Sequence, residues 1–154
     1  MDLCWGYNNI RIKKGDEWKA AFSMPEGLFE PIVMFFGLTN SPATFQAMMN
    51  NLLRDLVVEE KVVVFIDDVM VATETEEEHD EIVEEVLRRL EENDLFVKPE
   101  KYVWKVREVG FLGVIIGENR VRMEKEKVQE VVEWLVPKSV KDIQKFLELA
   151  NYYR

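Results

Sequence analysis

Residues 62–72 read VVVFIDDVMVA, an apolar run with two adjacent carboxylates, Asp67 and Asp68, in its middle. Strong β-formers on both sides favour a pair of strands, so two negative charges stand where burial is otherwise the rule. One account is a wet turn, because turns favour Asp. Two-residue hairpin turns, however, prefer Asn-Gly or Asp-Gly, since glycine adopts positive φ without steric cost. Asp-Asp answers a different demand better. Two oxygen donors held by rigid flanking strands suit a hard divalent cation such as magnesium. Asp2, followed by Leu3 in what reads as the end of a strand, is a third candidate, and only the fold can bring it to Asp67. Three carboxylates can hold two metal ions about 3.5–4 Å apart, an arrangement suited to in-line displacement at phosphorus.

Several elements must position these groups. Residues 61–66 and 69–72 read as two strands joined at Asp67-Asp68. The stretch SPATFQAMMNNLLRDLV reads as a helix, with Ser41 as N-cap and Pro42 at the first helical position. Phe45, Met48, Met49, Leu52, Leu53 and Leu56 recur at helical spacing and form its apolar face. A second helix is expected over 75–92, with Thr75 and Glu78 as a capping box and His79, Ile82, Val83, Val86, Leu87 and Leu90 turned inward. His79 has no second His or Cys near it, which argues against zinc.

Upstream, Ile10 and Ile12, a KKGDE turn, then Trp18, Ala20 and Phe22 read as a hairpin, and PEG at 25–27 reads as another turn. Downstream come short strands, a GEN turn before Val121, a helix from Lys125 to Trp134, and a last helix capped by Ser139. The four tryptophans read as packing residues. This order implies an α+β fold in which long helices cover one face of an antiparallel sheet.

The chain has 154 residues, 47% hydrophobic and 32% charged, which fits one globular domain with a sizeable core. Its net charge is −10, yet residues 74–94 hold eleven acids against two arginines, and the remainder is nearly balanced. A nucleic-acid surface outside that acidic segment is therefore compatible with the composition. A single cysteine, Cys4, excludes an internal disulfide and a cysteine zinc site. No run is long enough to span a bilayer and no signal-peptide pattern is present, which reads as a reduced intracellular protein without a membrane partner.

Five stretches together resemble the reverse transcriptase of gypsy-class LTR retrotransposons: DLCWGYNNIRI, FFGLTNSPATFQ, FIDD, FLG at 111–113, and SVKDIQKFLELANYYR. They occur in the family's order and at its approximate spacing, over nearly all of the chain. The resemblance implies a palm-like antiparallel sheet with helices on one face. It implies a reverse transcriptase palm with partial fingers over 1–123 and the beginning of a helical thumb over 124–154. It implies an RNA-directed DNA polymerase of the Pol polyprotein, with a primed RNA or DNA template and dNTP as partners and Mg2+ or Mn2+ as cofactor. The site would be cytoplasmic, in virus-like particles, with nuclear access open.

Residue by residue, the resemblance makes Asp2, Asp67 and Asp68 the metal-binding carboxylates, with Asp2 and Asp67 bridging. Tyr7 falls where the family has the aromatic that blocks a ribose 2′-OH. Phe36, Gly37, Ser41, Pro42 and Gln46 fall where it contacts nucleotide and template. Lys101 falls near the lysine that protonates the leaving pyrophosphate. Phe111, Leu112 and Gly113 match the grip on the primer 3′ end. The chain departs from the usual Tyr-x-Asp-Asp by carrying Phe65, which removes a hydroxyl but no metal ligand. It also lacks most of the fingers before Asp2, the rest of the thumb, and an RNase H domain. The alternative is an inactive relic that folds and self-associates as a homodimer through an open sheet edge.

Overall fold

The computed structural model describes residues 1, 3–4, 6–117 and 120–153. The chain divides into two compact units, residues 1–105 and 106–154. Among the described residues, all strand pairings are antiparallel.

The first unit is built around a short hairpin. Strand β1 is Leu3–Cys4, β2 Phe22–Met24 and β3 Gly27–Phe29. Helices α1 (Ser41–Leu52) and α2 (Arg54–Val58) follow, broken at Leu53. Then come β4 (Val62–Phe65), β5 (Asp68–Val71), α3 (Glu76–Glu92) and β6 (Phe96–Val97). The helical periodicity is borne out. Phe45, Met49, Leu53 and Leu56 from α1–α2 and Val86 and Leu90 from α3 are buried against Leu3, Val62, Val69 and Leu95. Each such fully buried side chain contributes about 1.5–3 kcal/mol.

One close fit ties this core to the segment before it. The backbone of Gly6 lies against the Phe45 ring, and a Cβ there would stand 2.7 Å from Phe45 Cζ. Phe45 is fully buried and cannot swing away. A Gly6→Ala substitution is expected to cost about 1–3 kcal/mol through overpacking, read as a lowered urea midpoint with unchanged m. An unchanged midpoint would show that the ring has room to move.

Several expectations need correction. Ile10 and Ile12 do not form a hairpin with residues 18–22. Ile12 N–H donates to Ile32 O and Met34 N–H donates to Ile10 O, around a bridge between Arg11 and Val33. Residues Glu17–Ala20 form a 3-10 turn, and the hairpin partner of β2 is β3, across the PEG turn. Ser41 is not the cap of α1. That position belongs to Asn40, and the Ser41 hydroxyl donates to Phe35 O at 3.4 Å. Thr75 caps α3 through Glu78 N–H, but the Glu78 carboxylate reaches Glu74 N–H and Lys61, not back to Thr75. Trp18 is exposed, and Trp104 is exposed but packs edge-on against Tyr102, ring centres 5.0 Å apart; Trp5 lies outside the described residues.

The second unit holds a three-stranded meander, β7 (Glu108–Phe111), β8 (Val114–Gly117) and β9 (Arg120–Met123), then α4 (Lys125–Val132) and α5 (Val140–Tyr152). Ser139 caps α5 in a full capping box with Asp142, as its sequence suggests. Trp134 packs on Phe146, ring centres 5.8 Å apart. Among the described residues, no helix is long and apolar enough to cross a membrane.

Candidate active site

The carboxylates sit on the β4–β5 hairpin, one residue out of step with the expected turn. Phe65 pairs with Asp68, so the two turn residues are Ile66 and Asp67, and Asp68 opens β5. Asp67 is exposed and Asp68 half-buried. Ile66 adopts φ of +54°. For a β-branched residue this conformation is strained, at a cost of about 1–3 kcal/mol, and it persists only when surrounding contacts hold it.

Gln46 on α1 supplies that hold. Ile66 N–H donates to Gln46 Oε1 at 2.7 Å, and Gln46 Nε2 donates to Val64 O at 3.1 Å. Nε2 also donates to Asn50 Oδ1 at 2.8 Å, which fixes the amide on the helix. One side chain thus spans the last paired residue, Phe65, by bonding Val64 before it and Ile66, the first turn residue, after it. The one-residue shift follows: with Ile66 tied to Gln46, Asp67 is left at the apex.

Asp2 lies outside the described residues. Its two neighbours are bonded to the hairpin: Leu3 N–H donates to Asp67 O at 3.1 Å, and Val69 N–H donates to Met1 O at 3.0 Å. On its other side, Leu3 pairs with Val97 of β6. Among the described residues, no group of three or more His, Cys, Asp or Glu is placed to hold a metal. Asp67 and Asp68 do offer two adjacent hard oxygen donors outside the apolar core, on a braced turn. That chemistry fits magnesium or manganese and not a soft metal.

Tyr7 stands next to this tip. Its phenol is raised above the usual tyrosine range, first by burial and then by the negative charge of Asp67. The ring is wedged edge-on between Phe36, 4.9 Å away, and Phe45, 5.5 Å away. Phe36 is 75% exposed. Gly37 follows it at φ +103°, a conformation that glycine alone takes freely. Ser41 is buried, and its hydroxyl holds the Phe35 carbonyl just upstream of Phe36. Tyr7, Phe36, Gln46 and Asp67 are thus brought to one place.

Other candidates stand elsewhere. Lys101 is exposed at the end of a 3-10 turn, Pro99–Lys101. Phe111 ends β7 in the second unit, and Leu112 and Gly113 form the β7–β8 turn with φ of +50° and +78°. Tyr152 and Tyr153 at the end of α5 donate their hydroxyls to the carbonyls of Leu112 and Gly113, at 2.5 and 3.3 Å. The bracket formed by Gln46 was not legible in the sequence: the family resemblance assigns Gln46 to nucleotide and template contact, and no local pattern ties it to Val64 or Ile66.

A family model described as reverse transcriptase (RNA-dependent DNA polymerase) matches residues 1–116. The Transposon Tf2-3 polyprotein of Schizosaccharomyces pombe (strain 972 / ATCC 24843) is 36% identical over 154 residues, all of this chain and 12% of that protein. The chain therefore spans about an eighth of the length of the curated relatives it matches. A foamy viral protease-reverse transcriptase in complex with an RNA/DNA hybrid superposes with a TM-score of 0.84 at 30% identity, covering 98% of this chain and 20% of that one. A foamy viral protease-reverse transcriptase in complex with dsDNA gives 0.86 at 30% identity, covering 100% and 32%. The fold is thus of the reverse transcriptase palm type.

Proposed function

Because the chain belongs to the reverse transcriptase (RNA-dependent DNA polymerase) family, we propose that it is the palm-centred part of the RNA-directed DNA polymerase of a gypsy-class LTR retrotransposon. It adds dNTPs to a primer 3′-OH on an RNA or DNA template. The observation that supports this most is the braced hairpin: two carboxylates at its tip, with Tyr7 within reach of the Asp67 charge. Residues 1–123 are the palm with part of the fingers, and 124–154 begin the thumb. The intracellular setting, in the cytoplasm or a virus-like particle, rests on the family resemblance and on the single unpaired Cys4.

Asp2, Asp67 and Asp68 would hold Mg2+ or Mn2+. The bonds of Leu3 to the turn at Asp67 and of Met1 to Val69 on the second arm support the inclusion of Asp2. A bound divalent cation supplies Lewis acidity to the primer hydroxyl and to the triphosphate. The protein's own work is placement. Gln46 and the strained Ile66 keep the carboxylates at a fixed height. Phe36 and Gly37, both exposed, suit direct contact with the incoming nucleotide, while Ser41 holds the backbone that presents them. Lys101 is assigned to the leaving pyrophosphate, and Phe111, Leu112 and Gly113 to the primer end.

Tyr7 is assigned to sugar selection, because its ring is pinned by two aromatic neighbours and cannot turn aside for a 2′-OH. The test is primer extension by the full chain with Mg2+ or Mn2+, abolished by a chelator. In the same assay Tyr7→Ala is expected to lower the preference for dNTP over NTP by on the order of 10²-fold. An unchanged preference would remove Tyr7 from that role.

A further inference from the structure

A second concave site lies on the far side of α1 from the hairpin. It is a cavity of about 400 Å³, within the size range of small-ligand sites. Asn40 and Thr44 contribute to its wall from the first turn of α1. At about 100° per residue, Thr44 is about 160° around the helix from Gln46, which faces the hairpin. A ligand here is therefore not the one that meets the carboxylates.

The floor is apolar, made by Ile12, Ala20, Met34 and Leu38, of which Ala20 and Met34 are buried. The rim carries three cations, Arg11, Lys13 and Lys19, in a chain whose net charge is −10. Lys19 is already engaged by Asp16, 2.7 Å away, which also draws the Asp16 carboxyl below its usual range. Among the described residues, no carboxylate pairs with Arg11 or Lys13. An apolar floor suits the face of a nucleobase, and two cations at the rim suit a phosphate: Arg11, and Lys13, which feels the Asp16 charge without forming an ion pair with it.

We propose that this cavity seats one nucleotide of an unpaired nucleic-acid strand, its base on the apolar floor and its phosphodiester against Arg11 and Lys13. A free nucleoside triphosphate shares the chemistry but arrives with a bound cation. The one carboxylate lining the cavity, Asp16, is taken by Lys19 and has none to spare for it. The inference rests on the polymerase reading only for the identity of that strand as template.

The test is binding of a fluorescein-labelled oligo(dT) to the full chain across a salt titration. Each phosphate contact on a single strand contributes about 0.7 to the slope of log affinity against log salt. Arg11→Gln with Lys13→Gln removes the contact to that one phosphate and is expected to lower the slope by about 0.7 and to weaken binding at low salt, with an unchanged melting temperature. Arg54→Gln with Lys125→Gln removes the same charge from exposed positions elsewhere and is expected to leave the slope unchanged. An unaltered slope in the first pair, or an equal loss in the second, would overturn the site. Metal-free dTMP competing as well as the strand, nucleotide for nucleotide, would overturn the strand as its occupant. An inactive chain with an intact slope would sink the polymerase reading and leave this site standing.

Discussion

Primer extension by the Asp67→Asn variant is expected to fall by on the order of 10³-fold or more, with a melting temperature close to that of the unaltered chain. Asp67 is exposed at the apex of the hairpin and contributes no side chain to the core. Its backbone carbonyl accepts from Leu3 N–H, a bond that an asparagine keeps. Only the carboxylate charge is lost. Lewis-acid stabilisation by a cation held there is worth several kcal/mol, and each 1.36 kcal/mol is tenfold in rate. Wild-type extension in the variant would remove Asp67 from the chemistry. A chain that shows no extension in either form would favour the alternative of a folded but inactive relic.

Loss of the bracket has the second largest effect. In Gln46→Met the side chain keeps its length but cannot pair with Ile66 N–H or Val64 O. Leaving such partly buried groups unsatisfied costs about 1–3 kcal/mol each, and the strain at Ile66 loses its restraint. The hairpin tip is then free to relax to a less costly turn, which re-aims Asp67. Extension is expected to drop by on the order of 10²-fold through kcat, because a misplacement of about 1 Å carries that penalty. The melting temperature falls as well, and the distinguishing readout is the split between kcat and KM. An effect confined to the KM for dNTP would instead assign Gln46 to nucleotide contact, the role that the family resemblance implies for it.

Some of this arrangement can be read from the amino-acid order and some cannot, for identifiable reasons. The inward faces of α1 and α3 are legible because Phe45, Met49, Leu53, Val83, Val86 and Leu90 repeat at the helical period, and one buried stripe leaves no other solution. The β4–β5 hairpin is legible as two apolar runs, but its turn is not. A period of two marks alternating faces without saying which pair of residues leaves the ladder. Propensity argues against Ile at positive φ, and the contact that overrides it comes from Gln46, twenty residues earlier. The same limit explains the misread segment at 10–22. Ile10 and Ile12 alternate as expected, but their partner is the chain at 32–34, which local pattern cannot nominate. Trp18 reads as a packing residue but is exposed, whereas Trp104 keeps an edge-on contact with Tyr102.

The site separates along similar lines. Asp67 and Asp68 stand out because charge interrupts an apolar run. Tyr7, Phe36 and Gln46 carry no such signal; their convergence on the hairpin depends on Phe45 sealing against Gly6 and on the segment around Leu3 lying between Asp67 and Val97. The roles of Lys101 and of the turn at Leu112-Gly113 rest on the family resemblance.

One measurement bears most directly on the claim that three carboxylates form a single metal centre. Crystals of the full chain grown with manganese and dNTP would locate the ion by its anomalous scattering. A peak is expected about 2.0–2.3 Å from carboxylate oxygens of both Asp2 and Asp67, with Asp68 beside it. Manganese found only at other acidic groups, or an ordered Asp2 carboxylate turned away from the hairpin, would contradict it.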